Sequence, residues 1–203
     1  MENVELTVNE PNNLNITNVS MSLDKLMEMS TMLSKSTIVP TSYQNRAENC
    51  FIALDMANRI GVSPMFVMQN LYIVQGKPSW SGSAIASMIR NSKEYQQVEL
   101  VYVGKEGTDD WGAYVTAVNV KTSKPIKGAT VTIGTAKKEG WFQKTGSKWQ
   151  TMPELMLAYR SYAWFGRVHC PEIMMGLQSY EETEDVNKVV EVIENPYEMN
   201  GVK

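Results

Sequence analysis

The chain has 203 residues, 43% of them hydrophobic and 20% charged, with a formal net charge of −3. These values describe one globular domain with tails, and a chain of this length buries about 70% of its unfolded surface, so the core needs no disulfide or metal. No run reaches the ~18 apolar residues of a membrane helix, and MENVELTVNEPNN, with Glu2, Glu5 and Glu10, does not read as a signal peptide. Cys50 and Cys170 lie far apart with no CxxC partner, as reduced cytosolic thiols do. Secreted, membrane-spanning and collagen-like classes are excluded, and the expected location is cytoplasmic.

Residues 1–20 are Asn-rich, without a period, and read as a loose tail. Ser22 to Leu33 spaces Leu23, Leu26, Met27, Met29 and Leu33 helically, and Pro40 follows as a stop. Tyr43 to Ile60 is the clearest helix, repeating Ala47, Cys50, Phe51, Leu54, Ala57 and Ile60 before Gly61. Ser63 and Pro64 cap and open a short helix, PMFVMQN. A strand over Leu71 to Val74, a turn through Gly76 to Pro78 and a helix over Ser83 to Ser92 follow. Val98 to Val103, Tyr114 to Val120 and Ala129 to Ile133 are strand-like, separated by Gly-, Thr- and Pro-containing turns.

The next helix opens at Thr151-Met152-Pro153, with Thr151 as cap, and runs to His169 before Pro171. Beyond Gln178 the chain turns acidic and reads as frayed helix or tail. The plan is α+β: a three-stranded antiparallel β-meander, with an additional short strand or hairpin, packed against flanking helices. One domain over residues 21–180 is expected, with an acidic tail over 181–203.

Conventional catalysis finds little footing. Walker A, GxGxxG and GxSxG patterns are absent, and His169 is the sole histidine, too few for a His-rich metal site. Cys50 and Cys170 sit in helical contexts where a thiol serves as a small core hydrophobe. Asp109-Asp110 falls at a hairpin tip and reads as a solvated turn rather than a metal pair. No catalytic residue, metal or cofactor is expected.

The charge distribution says more. Residues 121–170 carry nine basic against two acidic residues, a balance of +7, which leaves −10 for the rest. The segment KKEGWFQKTGSKW sets Lys137, Lys138, Lys144 and Lys148 around Trp141, Phe142 and Trp149. Cations neutralise phosphates while aromatic faces stack unpaired bases, a mixture suited to a single strand. The competing reading makes the tryptophans core anchors. Arg160 and Arg167 lie seven apart, about two helical turns or ~10.5 Å, and share a face. Three nucleotide steps at ~3.4 Å span a similar distance. Met152, Met156, Tyr159, Ala163, Gly166 and Cys170 form a neighbouring apolar stripe. The rival explanation pairs both arginines with the tail's glutamates.

Two blocks carry a resemblance. AENCFIALDMANRIGVSPMFVMQNLYIVQGKPSWSGSAIASMI (47–89) and KWQTMPELMLAYRSYAWFGRVHCPEIMMGLQSYEE (148–182) are similar to the RecT family of phage single-strand annealing proteins, which is distantly related to the lambda Red beta protein. The second block is the more specific, keeping Trp149, Pro153, Met156, Arg160, Arg167, Pro171 and Gly176 in order and spacing. With the strands between them, the resemblance covers about residues 38–185. It implies a RecT-like annealing core in the cytoplasm of a bacterial host. The implied activity binds single-stranded DNA and anneals complementary strands without ATP during phage recombination. The family acts as a homo-oligomeric ring or helical filament, often beside a 5′-to-3′ exonuclease and the host single-strand-binding protein. Its DNA-backbone contacts match Arg160 and Arg167, while Glu154 stands where members commonly carry a cation.

The expected DNA-binding set is thus Arg160, Arg167, Lys148, Lys144, Lys137, Lys138 and Trp149, in a groove between the sheet and the 151–169 helix. Two other classes remain as rivals: a general RNA or single-stranded DNA chaperone with the same patch, and a metal-dependent phage DNA-processing enzyme.

Overall fold

A computed structural model of the chain describes residues 22–74 and 76–186. They form two compact units, one up to Gln69 and one from Asn70. The sequence reading had taken this span as a single domain.

In the first unit, α1 (Leu23–Ser34) starts at Ser22, whose hydroxyl accepts the Lys25 N–H, and it packs on α2 (Ala47–Ile60). α2 buries Cys50, Ala53, Leu54, Met56 and Ala57 and stops at Gly61, which takes the left-handed conformation (φ 77°) that glycine adopts without strain. It begins four residues later than its spacing predicts, because Asn45 is itself left-handed (φ 58°) and breaks the helical path. α3 (Pro64–Asn70) has Ser63 Oγ accepting the Phe66 N–H, as its sequence predicts. The unit boundary falls at the last residue of α3.

The second unit holds two sheets. β1 (Leu71–Val74) and β2 (Lys77–Trp80) make a hairpin, with Leu71 opposite Trp80 and Val74 opposite Lys77. α4 (Gly82–Arg90) follows, capped by the Ser81 hydroxyl. The larger sheet centres on β4 (Gly112–Asn119), with β3 (Tyr95–Val103) antiparallel on one side. On the other side lie β5 (Pro125–Lys127) and β6 (Val131–Thr132), also antiparallel to β4. The architecture is therefore α+β with antiparallel pairing in its main sheet. Of the expected third strand, Ala129 to Ile133, only Val131 and Thr132 pair with β4, and β5 precedes it where the sequence reads as a turn; the register slips by one residue between Lys127 and Val131. Such a bulge bends a strand and locally ends its ladder.

α5 (Ile133–Lys138) begins where the third strand was expected to end, with the Thr132 hydroxyl accepting the Thr135 N–H. The short α6 (Lys148–Thr151) then leads into α7 (Pro153–His169). Pro153 opens α7 as predicted, but Met152 rather than Thr151 holds the cap position, because Thr151 already belongs to α6. α7 crosses β4 and α4 and is largely buried. Ser161 Oγ donates to the Ala113 carbonyl at 2.9 Å, tying the helix to the sheet. Of the expected stripe, Met156, Ala163, Gly166 and Cys170 are buried and Tyr159 is half-buried, while Met152 is exposed. The core here joins Ala113, Val131, Ile133, Ala136, Met156 and Leu157 with Trp141 and Trp149.

The chain returns through α8 (Pro171–Met174) to β7 (Gln178–Ser179), which adds to β2 in parallel and pairs Trp80 with Ser179. It closes with α9 (Tyr180–Val186). Of the two sequence readings for this acidic stretch, frayed helix or tail, residues 181–186 take the helix. The tail readings for 1–20 and for 187–203 lie outside the described residues. No single helix among the described residues is long and apolar enough to cross a membrane.

Candidate nucleic-acid interface

The site is built on α7, on α6 and on the loop that precedes it, and α9 lies against them. α9 starts with a reciprocal capping box: Ser179 Oγ accepts the Glu182 N–H at 3.1 Å, and the Ser179 N–H donates to Glu182 Oε2 at 3.1 Å. Thr183, one turn into the helix, meets Ser79 of β2 with its hydroxyl at 3.0 Å. This start fixes the direction of α9 and turns its carboxylates toward the basic residues.

Arg160 is 2% exposed. Its guanidinium lies over the Trp141 ring, 3.9 Å from the centroid, with Trp149 at 5.7 Å. It donates through Nη2 to Asp185 Oδ2, which also accepts the Trp149 Nε1–H at 2.8 Å. Arg160 Nε is buried without a hydrogen-bond partner. Burial lowers the Arg160 pKa against the opposing pull of Glu182 and Asp185, yet a guanidinium remains charged in proteins. Burial also raises the Asp185 pKa, offset in part by Trp149 and Arg160.

Two turns along α7, Arg167 donates to Glu182 Oε2 at 2.5 Å while its side chain stays 46% exposed. Lys144 Nζ donates to the Glu184 carbonyl at 2.8 Å. Lys148 lies 3.5 Å from Glu184 Oε2 and 5.2 Å from the Tyr180 ring centroid. Tyr180 donates its hydroxyl to Glu184 Oε1, and this bond is the first cause of a phenol pKa pushed up to about 12. A cavity of about 430 Å³ lies here, lined by Lys144, Gly146, Lys148, Met156, Glu181 and Glu184 among others.

The sequence-predicted set therefore divides. Lys144, Lys148, Trp149, Arg160 and Arg167 all meet α9, although up to 23 positions separate them in the chain. Lys137, on α5, instead pairs with Asp109 at 2.5 Å and lies 5.3 Å from the Phe142 ring centroid. Lys138 is exposed on the same short helix. Trp149 is fully buried and Trp141 nearly so, their rings 5.7 Å apart, so both anchor the core as the competing reading held. The rival pairing of both arginines with carboxylates of the acidic segment is also present. The helix start of α9 is what sequence reasoning passes over, although Ser179-Tyr180-Glu181-Glu182 carries the S-x-x-E signature.

Elsewhere, chemistry-bearing side chains are occupied or buried. His169 packs on Phe165 at 4.8 Å between ring centroids, and burial lowers its pKa. Burial pushes the Cys170 thiol up to about 12, far from the range of a nucleophile. Among the described residues, no three His, Cys, Asp or Glu side chains converge as a metal site.

Compared with family models, curated proteins and solved structures, the chain matches none.

Proposed function

We propose that this protein binds single-stranded DNA through its backbone and anneals complementary strands without ATP, working as an oligomer in phage recombination. The observation that carries the reading is the gathering of Lys144, Lys148, Arg160 and Arg167 on one short anionic segment. A site that collects three cations on carboxylates and a fourth on a backbone carbonyl has the chemistry to collect phosphates. The two sequence blocks similar to the RecT family support the same reading, and Arg160 and Arg167 are the positions that match the family's backbone contacts.

In this reading Arg167 and Lys148, each with about half of its side chain exposed, make the first phosphate contacts. Lys137 and Lys138 extend the basic band along α5. Phosphate contacts position a strand without reading its sequence, so base pairing with a second strand supplies the recognition. Each contact is weak and strongly salt-dependent, so retention of a strand requires several protomers in line. The exonuclease and host single-strand-binding partners belong to the same proposal.

The test is direct binding. Dye-labelled oligonucleotides of unrelated sequences, single-stranded, duplex and ribose, are titrated with the protein in EDTA. Sequence-independent binding that favours single-stranded DNA supports the proposal. Preference for ribose moves the reading to RNA. A folded protein that binds none of them overturns it.

A further inference from the structure

We infer that α9 is a self-masking segment, an anionic stand-in for the DNA backbone that occupies the cations of α7 and the 144–148 loop until a strand displaces it. The inference rests on the single-strand-binding reading above.

Every carboxylate of α9 takes a partner. Glu181 accepts the Gly82 N–H at 3.0 Å at the start of α4, and Glu182 takes Arg167. Glu184 takes Lys148 and the Tyr180 hydroxyl, and Asp185 takes Arg160 and Trp149. Beyond these, the Ser179–Glu182 cap and the buried Thr183–Ser79 hydroxyl contact hold the segment. Val186 is exposed, and Tyr180 is half-buried with Tyr72 at 5.3 Å between centroids. A seven-residue helix is unstable alone, and Glu181 repels Glu184 and Asp185 at three and four positions' spacing. α9 is thus held chiefly by charge and hydrogen bonds rather than by an apolar face. The half-exposed cations Lys148 and Arg167 weaken their hold with salt and exchange with competing anions, while the buried Arg160–Asp185 pair is screened much less.

A phosphate is the better partner for the group at the centre. Asp185 takes one N–H of Arg160 and leaves the buried Nε unpaired. A phosphate accepts both arms of a guanidinium fork. DNA entering along Lys148 and Arg167 would meet these carboxylates first, replace them, and open Arg160 to the strand. In the absence of DNA the same contacts keep stray anions off the groove.

The Ser79 and Thr183 hydroxyls, 3.0 Å apart, allow α9 to be tied to β2. In the variant carrying Ser79→Cys and Thr183→Cys, oxidation locks the segment and reduction frees it within one protein. Cys50 and Cys170 are fully buried and do not compete. Oxidised protein should bind labelled single-stranded DNA weaker by roughly tenfold or more than the reduced form, the loss of two or so phosphate contacts. Glu184→Gln, an exposed change that leaves the fold intact, should bind about two- to fivefold tighter than the wild type. Equal binding by oxidised and reduced protein, or no gain in Glu184→Gln, overturns the mask while leaving DNA binding in place. Failure of the wild type itself to bind overturns the single-strand reading and the mask with it.

Discussion

Arg160 and Asp185 meet between two tryptophans: the guanidinium lies 3.9 Å over Trp141, and the carboxylate holds both Arg160 and the Trp149 indole N–H. Neither charge has water as an alternative partner, so neither tolerates loss of the other. Arg160→Ala strands Asp185 and should destabilise the second unit by about 3–5 kcal/mol. Joint replacement by Arg160→Met and Asp185→Leu removes both charges and should restore most of that stability. Urea unfolding of the two variants measures the difference. A double variant as unstable as Arg160→Ala would show that the arginine's packing, rather than the pair, carries the effect.

The same pair sets a pH dependence. Burial holds the Asp185 pKa above its ordinary value of ~3.9. Folding therefore takes up a proton between the ordinary and the raised value. The stability this group contributes is full below that window and is lost as the pH rises through it. Glu181, also raised by burial, acts with the same sign. Asp185→Asn removes one of these contributions. Urea titrations between about pH 3.5 and 6.5 should show wild type losing stability relative to Asp185→Asn as the pH rises. A constant difference, or the opposite slope, contradicts the assignment.

Gly82 sets how closely α4 approaches α7. A Cβ there would stand 2.5 Å from Cγ of the Tyr159 ring. Gly82→Ala should cost about 1–3 kcal/mol through overpacking, despite the better helix propensity of alanine. The paired variant Gly82→Ala with Tyr159→Ala should recover part of the loss, again by urea unfolding.

Legibility in the sequence followed the strength of the local signals. α7 was readable because Pro153 and Pro171 bracket a long apolar period, and α3 because Ser63-Pro64 is a strong start. β5 is not legible because Thr122 to Pro125 carries turn signals, and the slip after Lys127 arises only from pairing with β4. β7 has two residues, too short for a period, and exists only through its ladder with β2. The basic and aromatic segment was readable as chemistry, but not its division between solvent and core. Trp149 and Arg160 face inward because α9 brings Asp185 to them, a contact 25 and more residues away in the chain. Charge spacing on one helix does not reveal which charges a later segment will cover.

Arg167 tests the DNA-facing cations, since its side chain is half exposed; its removal leaves the buried Glu182 carboxylate with the Ser179 N–H, so folding of the variant is checked first. Arg167→Ala should weaken binding for all sequences alike. It should also flatten the slope of log K against log salt by ~0.7 for single strands. Lys148→Ala should do the same. Unchanged slopes in folded variants would remove these residues from the strand.

Strand annealing itself is tested with two complementary dye-labelled oligonucleotides. They are mixed without ATP and in EDTA, with and without the protein, while energy transfer reports pairing. An annealing protein accelerates pairing and forms a large protein–DNA complex that outlasts the complex with either single strand. Pairing at the uncatalysed rate, from folded protein that binds each strand, would contradict annealing.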